Sequence, residues 1–281
     1  MGSLLIGLAI LLLLEDRWFS PWFPVFFVCY LTASILAARE LLSLLPKESR
    51  PNELLTLDAV TLIAAMNWWP AVRGMQTILL RADAWHLIGA CVLVALAIAV
   101  LREMRMYRGP DQIVARISLT AFVVLYIGVL PSFLAQIRFL DASISTVALA
   151  LAVFVPKGND IGAYFTGKFL TGRVIGRTPM TPLLSPKKTW QGAVGGMLAS
   201  VLVAVGVQAN WPVIPGGWIG SVGLGVTVGF AGIMGDLAES LIKRDLQTKD
   251  ASQTVPGFGG VLDVVDSLLF AAPVVWIWFV V

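Results

Sequence analysis

The strongest constraint on the fold of this chain is a succession of apolar runs separated by short polar segments. Nine runs can be distinguished, at residues 2–14, 21–42, 55–70, 76–101, 113–136, 142–156, 189–209, 216–242 and 261–281. A helix needs about 20 apolar residues to cross the hydrocarbon core of a bilayer, so the first, third and sixth runs are short and the others are long enough. Because 13% of the residues are charged, against about 25% in soluble domains, the composition excludes an ordinary soluble fold.

These runs predict an all-α integral membrane protein, a polytopic bundle of about nine transmembrane helices with a polar cavity that faces the cytoplasm. When each Lys and Arg is assigned to the nearest connecting loop, 16 lie in even-numbered loops and 4 in odd-numbered loops. Cytoplasmic loops carry the excess of basic residues in membrane proteins. We therefore expect the N-terminus inside and the C-terminus outside, in the inner membrane of the cell, with the active face toward the cytoplasm.

The residues that could carry chemistry lie in the second half of the chain. We predict N-terminal transmembrane helices at 1–110, which anchor and pack, and a catalytic transmembrane region at 111–281. Its cytoplasmic loops are predicted at 157–188 and 243–260, where most clusters of Gly, Pro and charged residues occur. With a single His and two Cys inside apolar runs, the sequence offers neither a zinc cluster nor a Ser-His-Asp triad.

Acidic residues lie where the last two predicted spans meet the cytoplasm. In the segment GDLAESLIKRD, Asp236, Glu239 and Lys243 share one face of a helix. Asp263 and Asp266 are three residues apart at the start of the last run, which faces the end of the preceding antiparallel span. Crowded carboxylates repel unless a cation lies between them, and oxygen ligands favour Mg²⁺. The plainer alternative is a solvated helix end followed by an acidic N-terminal turn, which a helix dipole favours.

Glycines and basic residues accompany these acids. The sequence PGFGG at 256–260 leads into a helix N-terminus, which is a ready site for anions. Near its start, the predicted loop 157–188 contains Asn159 and Asp160. It also contributes Lys168, Lys187 and Lys188, although positive-inside charge alone could explain some of these cations. The segment thus offers acids that could bind a metal, basic residues that could bind phosphates, and glycines that let a ligand approach the backbone closely. This combination predicts phosphoryl or nucleotidyl transfer, which depends on positioning and charge neutralisation.

The C-terminal motifs resemble those of the phosphatidate cytidylyltransferases, also called CDP-diacylglycerol synthases. The family pattern contains a Ser, Lys-Arg, Lys-Asp, Pro-Gly-His-Gly-Gly and Asp-Arg-x-Asp, and here it reads S-LIKRDLQTKDASQTV-PGFGG-VLDVVD over 240–266. The likeness extends upstream to GDLAES, SPKKTWQG and NDIGAYFTGK, with order and spacing intact. It covers roughly 155–270, whereas the N-terminal half is similar only as a set of apolar spans.

The resemblance implies a membrane nucleotidyltransferase of phospholipid biosynthesis that converts CTP and phosphatidate into CDP-diacylglycerol and pyrophosphate with Mg²⁺. The implied partners are CTP, phosphatidic acid or a related lipid phosphate, and the lipid bilayer, with no nucleic acid. A second cation and a homodimer are left open.

The resemblance and the helix-face argument together assign the candidate site residues. The expected catalytic residues are Asp236, Asp263, Lys243, Lys188 and Asp266. The expected metal ligands are Asp236, Asp263 and Glu239. The expected nucleotide and phosphate contacts are Ser185, Thr189, Lys168, Asp160, Arg244, Lys249, Asp250, Gly257, Gly259 and Gly260.

Three positions depart from the family pattern, which has His, Arg and Glu where this chain has Phe258, Val264 and Gln191. The missing Arg and His are phosphate donors, and an Arg can bind phosphate through two parallel hydrogen bonds. These departures keep open CTP-dependent activation of another lipid phosphate, such as a polyprenol or archaeal-type lipid, and an inactive homologue. A transporter coupled to ions through intramembrane acids is a further alternative, although such sites normally lie at the bilayer midplane.

Overall fold

The computed structural model describes residues 18–73, 83–169, 176, 178–248, 252 and 259–281. Within these ranges the chain is helical apart from turns and one small two-stranded sheet. It divides into two compact units, Met1–Ala135 and Gln136–Val281. This division follows packing, and the predicted functional division between residues 110 and 111 stays a prediction.

The described helices of the first unit are α1 (Pro24–Leu44), α2 (Glu53–Met66), α3 (Trp69–Arg73), α4 (Ala84–Met106) and α5 (Ile113–Val123). Helix α5 continues through a π-helical segment (Val124–Val129) into α6 (Leu130–Arg138), whose last three residues belong to the second unit. Asn52 is the N-cap residue of α2 and Asp83 is the N-cap residue of α4. The side-chain oxygen of each accepts a hydrogen bond from a backbone N–H of the first helical turn. The buried amide of Asn67 donates to Ser132 Oγ at 2.9 Å.

The second unit contains four long helices and the sheet. They are α7 (Ser145–Phe169), β1 (Pro179–Thr181), β2 (Ser185–Thr189), α8 (Trp190–Asn210), α9 (Gly217–Asp245) and α10 (Val261–Val280). Strands β1 and β2 are antiparallel, with Thr181 opposite Ser185. Helix α7 packs against α8, and α9 packs against both α8 and α10. Their shared core includes Leu151, Leu224 and Leu262, which are fully buried.

Glycines allow these four helices to approach closely, because small residues let helix backbones come together. A Cβ added at Gly196 of α8 would lie 2.6 Å from Asn159 Oδ1 of α7, and one added at Gly162 would lie 2.8 Å from the carbonyl oxygen of Gly195. A Cβ at Gly235 of α9 would meet the backbone carbonyl of Asp266 on α10. The polar residues at this end of the helices are therefore held close together by backbone packing.

Six helices in the described ranges are long and apolar enough to cross a membrane. They are Pro24–Leu44, Ala84–Met106, Ile113–Arg138, Trp190–Asn210, Gly217–Asp245 and Val261–Val280. Large apolar side chains such as Leu202 and Ile219 are exposed on their outer faces, as expected for contact with lipid. The prediction of an all-α polytopic integral membrane protein is confirmed.

The predicted count of nine spans stays a prediction. The first run, 2–14, lies outside the described residues, and the third forms the 14-residue helix α2 followed by the five-residue α3. The prediction that a loop begins at residue 157 was wrong, because α7 continues to Phe169. The cluster of Gly, Pro and charged residues predicted a loop, but two of its glycines, Gly158 and Gly162, lie against α8, where glycine is needed for close packing. Asn159 and Asp160 therefore lie within a helix.

Candidate functional site

Three carboxyl groups converge where α9 and α10 lie side by side. Asp236 and Glu239 of α9 and Asp266 of α10 each offer one oxygen, and these oxygens lie within 4.8 Å of one another. The Glu239 residue is 1% exposed, and Asp266 is also buried. Buried like charges at this separation repel, so the cluster requires a cation or a proton to offset them. The oxygens are of the type that Mg²⁺ prefers, and these three residues could hold that ion.

Lys243 connects the buried acids to the start of α10. Its Nζ lies 3.1 Å from Glu239 Oε1, one helical turn earlier, and 2.5 Å from Asp263 Oδ1. The other oxygen of Asp263 accepts the backbone N–H of Gly260 at 2.6 Å and so satisfies a donor at the helix N-terminus. Asp263 is thus held on both sides and lies beside the convergent group of three.

A second lysine reaches the acids from the sheet. Lys188 of β2 places its Nζ 2.6 Å from Asp236 Oδ2. Strand β2 ends at Thr189, whose hydroxyl accepts the backbone N–H of Gly192 at 3.1 Å and caps α8. The Gln191 side chain bonds to both the backbone N–H and the hydroxyl of Thr178, which closes the base of the hairpin. The family departure at position 191 therefore has a structural partner in this chain.

A cavity of about 330 Å³ opens beside these groups, within the second unit. Its polar lining includes Asp160, Tyr164, Lys187, Lys188, Thr189 and Asp236. This volume lies at the lower end of the range for small-molecule sites, about 300–1,000 Å³. The cavity thus combines ammonium groups, carboxylates and two hydroxyl-bearing residues at one end of the membrane helices.

Comparison with known proteins identifies the family of the chain. A sequence model described as the Cytidylyltransferase family matches residues 2–281. The chain belongs to the cytidylyltransferase family. The resemblance indicated by the motifs of residues 155–270 is therefore confirmed.

Curated relatives of this cytidylyltransferase family member come from several organisms. The chain is 36% identical over 196 residues to the phosphatidate cytidylyltransferase of Synechocystis sp., covering 60% of this chain and 63% of that protein. It is 32% identical over 198 residues to phosphatidate cytidylyltransferase 4, chloroplastic, of Arabidopsis thaliana, covering 64% and 48%. It is 41% identical over 120 residues to the phosphatidate cytidylyltransferase of Brucella suis, covering 43% and 42%. The chain thus spans less than two thirds of the length of these curated relatives.

The structure brings together part of the site predicted from the cytidylyltransferase motifs. Eight of the predicted site residues lie at one end of the second unit. They are Asp236, Glu239, Lys243, Asp263, Asp266, Lys188, Thr189 and Asp160. Gly260 precedes α10, and Gly259 has a positive φ of 95° that favours glycine. Lys249, Asp250 and Gly257 lie outside the described residues, as does Phe258.

Two of the other predicted contact residues, Arg244 and Lys168, have structural partners. The Arg244 guanidinium donates to the carbonyl oxygen of Leu184 at 3.3 Å and so ties α9 to the hairpin. Lys168 Nζ lies 3.2 Å from the hydroxyl of Tyr164, one turn earlier on α7, and is exposed. Ser185 is the first residue of β2. The roles assigned to these residues from the family resemblance stay predictions.

Sequence reasoning missed Lys157. Its Nζ donates to the carbonyl oxygen of Val264 at 3.3 Å and to Ser267 Oγ at 3.1 Å, and it lies 3.7 Å from Asp160 Oδ2. The i, i+3 spacing of Lys157 and Asp160 would have signalled a shared helix face. That signal was lost because this segment was assigned to a loop.

Proposed function

We propose that this chain is a Mg²⁺-dependent membrane nucleotidyltransferase that converts CTP and phosphatidate into CDP-diacylglycerol and pyrophosphate. The observation that carries the proposal is the convergence of Asp236, Glu239 and Asp266 with Lys188 and Lys243 beside a cavity, in a member of the cytidylyltransferase family. The relatives named phosphatidate cytidylyltransferases support phosphatidate as the lipid. The location of the acids at helix ends supports a reaction at the membrane surface, where lipid phosphates lie.

In the proposed reaction, a phosphate oxygen of phosphatidate attacks the α-phosphorus of CTP. A new P–O bond forms, the bond between the α-phosphorus and its bridging oxygen breaks, and pyrophosphate leaves. The attacking oxygen is already anionic at neutral pH, so no general base is required, which agrees with a chain that has one His. The residues instead need to bring anions together and offset their charge, which is the main requirement of such transfers.

Lys188 and Lys243 supply this positive charge in the proposal. Lys188 lines the cavity and is held by Asp236 at 2.6 Å, which leaves the remaining N–H donors of its ammonium for phosphate oxygens. Lys243 is held by Glu239 and Asp263, so its position depends on both helices of the site. Because these ammonium groups are already oriented by carboxylates, little reorganisation is needed when the charge develops.

Asp236, Glu239 and Asp266 would hold the magnesium ion, with Asp263 beside them. When bound, the ion would supply positive charge that offsets the negative charge of the phosphate groups. The buried state of Glu239 and Asp266 fits this assignment, since buried carboxylates without an offsetting charge are costly. The proposed location is the inner membrane, with the site toward the cytoplasm, where CTP is available, and with the N-terminus inside and the C-terminus outside.

The test is incorporation of label from CTP into lipid by the purified protein with Mg²⁺. Phosphatidate, a polyprenyl phosphate and an archaeal-type lipid phosphate would be offered separately. We expect labelled CDP-diacylglycerol from phosphatidate, lost in Asp236→Asn and kept in Asp58→Asn, a matched change at an exposed residue of α2. Product from another lipid alone would transfer the proposal to that substrate, and turnover that survives in Asp236→Asn would refute the site.

A further inference from the structure

A cavity of about 630 Å³ lies in the first unit, between the segment that joins α1 to α2 and the segment that joins α4 to α5. Its volume is within the range of small-molecule sites. Four of the residues that line it are arginines, namely Arg50, Arg102, Arg108 and Arg116. None of them belongs to the second unit, which contains the proposed reaction site. The proposed function therefore gives this cavity no role.

Arg116 of α5 sets the positions of the cavity walls. Its guanidinium donates to Glu103 Oε2 of α4 at 2.8 and 3.1 Å and to Asp111 Oδ2 at 2.8 Å. It also donates to the carbonyl oxygen of Glu48, in the segment after α1, at 3.4 Å. Arg102 Nη1 lies 3.4 Å from the other oxygen of the buried Glu103. These two arginines and two acids balance one another in charge and hold the walls in place.

Arg50 and Arg108 are not paired with a carboxylate in the described part of the chain. The Arg50 guanidinium donates from Nε and Nη2 to the carbonyl oxygens of Leu45 and Ser43 at 2.7–3.1 Å, so neutral groups fix its position. Arg108 is exposed in the segment between α4 and α5. The remaining acid of the lining is Glu53, in the first turn of α2. The lining therefore keeps an excess of positive charge.

Exposed apolar side chains lie beside these arginines. Met106 and Tyr107 line the cavity and are exposed, as are the neighbouring residues Leu101 and Met104 of α4 and Val114 of α5. Membrane helices expose such side chains where they meet lipid, and basic pockets between membrane helices bind the headgroups of anionic lipids. The ligand that fits these surroundings is an anion attached to an apolar body.

We propose that this cavity binds the phosphate group of an anionic membrane lipid, with Arg50 and Arg108 in contact with the phosphate. The planar guanidinium of arginine can donate two parallel hydrogen bonds to one phosphate. The two N–H groups of Arg50 Nη1 bond to no described residue, so they remain for the ligand. A soluble phosphate offers the same oxygens but would not contact the exposed apolar side chains. The inference goes beyond the proposed function and requires no turnover.

The plainer alternative is that these arginines supply positive-inside charge and attract any anion to this end of the helices. The two accounts differ at Arg105. This residue is exposed in the last turn of α4 and carries the same charge as Arg108, but it does not line the cavity. General attraction predicts that Arg105→Gln and Arg108→Gln weaken lipid binding equally, whereas a built site predicts that only Arg108→Gln does.

The experiment titrates the purified full-length chain, in a neutral detergent, with dioctanoyl phosphatidylglycerol and measures bound lipid by native mass spectrometry. Dioctanoyl phosphatidylcholine, which has the same acyl chains and no net charge, is titrated separately, and inorganic phosphate is added as a competitor. The proteins compared are the wild type, Arg50→Gln, Arg108→Gln, Arg105→Gln and Lys188→Met. Lys188→Met detects any lipid that binds at the proposed reaction site instead. Because Arg108 makes no hydrogen bond or ion pair with a described residue, Arg108→Gln tests the cavity without disturbing the fold.

We expect the wild type to bind phosphatidylglycerol more tightly than phosphatidylcholine. Arg50→Gln and Arg108→Gln should each weaken that binding by about 10-fold, the lower end for a hydrogen bond to a charged group, because the site is partly exposed. Arg105→Gln and Lys188→Met should change it by less than about twofold.

Three results would overturn the inference. The first is equal binding of the two lipids, and the second is equal weakening by Arg105→Gln and Arg108→Gln. The third is binding that is lost in Lys188→Met and kept in Arg108→Gln, which would assign the lipid to the second unit. Displacement of the lipid by an equal concentration of inorganic phosphate would refute a lipid ligand and assign the cavity to a soluble phosphate.

Discussion

The contact between Gly235 and the backbone of α10 sets the separation of the site acids. A Cβ added at Gly235 would meet the carbonyl oxygen of Asp266 and would lie 3.0 Å from the Cα of Ser267. Ordinary carbon–carbon contacts are about 3.5–4.0 Å, so α9 and α10 would have to separate by roughly 0.5–1 Å. Gly235 directly precedes Asp236, and this movement would carry Asp236 away from Asp266.

We predict that Gly235→Ala lowers kcat by about 100-fold, the loss expected when reacting groups are misplaced by about 1 Å. Overpacking of this kind also costs about 1–3 kcal/mol of unfolding free energy. The assay is initial-rate formation of labelled CDP-diacylglycerol, with thermal unfolding measured on the same preparation. A folded Gly235→Ala protein with a rate near that of the wild type would refute the argument that this backbone contact positions the acids.

The matched control is Gly206→Ala in α8. A Cβ added there meets no atom within 4 Å, so the same substitution encounters open space. Because alanine is favoured over glycine inside helices by about 0.5–1 kcal/mol, we expect equal or slightly greater stability and an unchanged rate. The contrast between the two variants separates the effect of crowding from any general effect of a glycine-to-alanine change.

Three further predictions concern the charges and the cap. Lys243→Met leaves Glu239 and Asp263 without their lysine, so we expect a loss of about 3 kcal/mol in unfolding free energy and little turnover; unchanged unfolding would contradict the ion-pair geometry. Removal of Mg²⁺ with a chelator should abolish turnover. Added Mg²⁺ should raise the unfolding midpoint of the wild type but not that of Glu239→Gln. Equal increases in the midpoints of the two proteins would place the ion elsewhere. Thr189→Ala should lower the unfolding free energy by about 1 kcal/mol, because it removes the N-cap of α8. If its unfolding midpoint changed less than that of Gly206→Ala, the capping role would be contradicted.

Several features of the site follow from sequence because they depend on local spacing. Asp236, Glu239 and Lys243 share a helix face by periodicity alone, and the Glu239–Lys243 contact has this origin. The antiparallel arrangement of two consecutive long helices predicts that the acids at the start of α10 lie near Asp236, and Asp266 does. These inferences need only helix geometry and chain order.

Other features depend on packing that sequence alone does not reveal. The Lys188–Asp236 pair requires the exact path of the β1–β2 hairpin. Lys157 was missed because Gly158 and Gly162 resemble loop residues, whereas in the folded chain α8 occupies the space beside them. A glycine in the sequence can therefore indicate a loop or a site of close helix packing, and only the position of the neighbouring helix distinguishes the two.

The predicted metal set differs from the group that converges in the structure. Sequence reasoning chose Asp236, Asp263 and Glu239 as metal ligands, and that choice stays a prediction. The three carboxylate oxygens that lie within 4.8 Å of one another belong to Asp236, Glu239 and Asp266. Asp263 is directed to Lys243 and to the backbone N–H of Gly260. This choice between two acids one helical turn apart depends on side-chain direction at the start of α10, which spacing does not determine.

The proposed function requires that this chain transfer the cytidylyl group, rather than the terminal phosphate, of CTP to a lipid phosphate. The most direct test uses two samples of CTP, one radiolabelled at the α-phosphate and one at the γ-phosphate, with phosphatidate and Mg²⁺. The account predicts that the α label appears in the lipid and that the γ label appears in pyrophosphate. Transfer of the γ label to the lipid, or no transfer of either label, would contradict it.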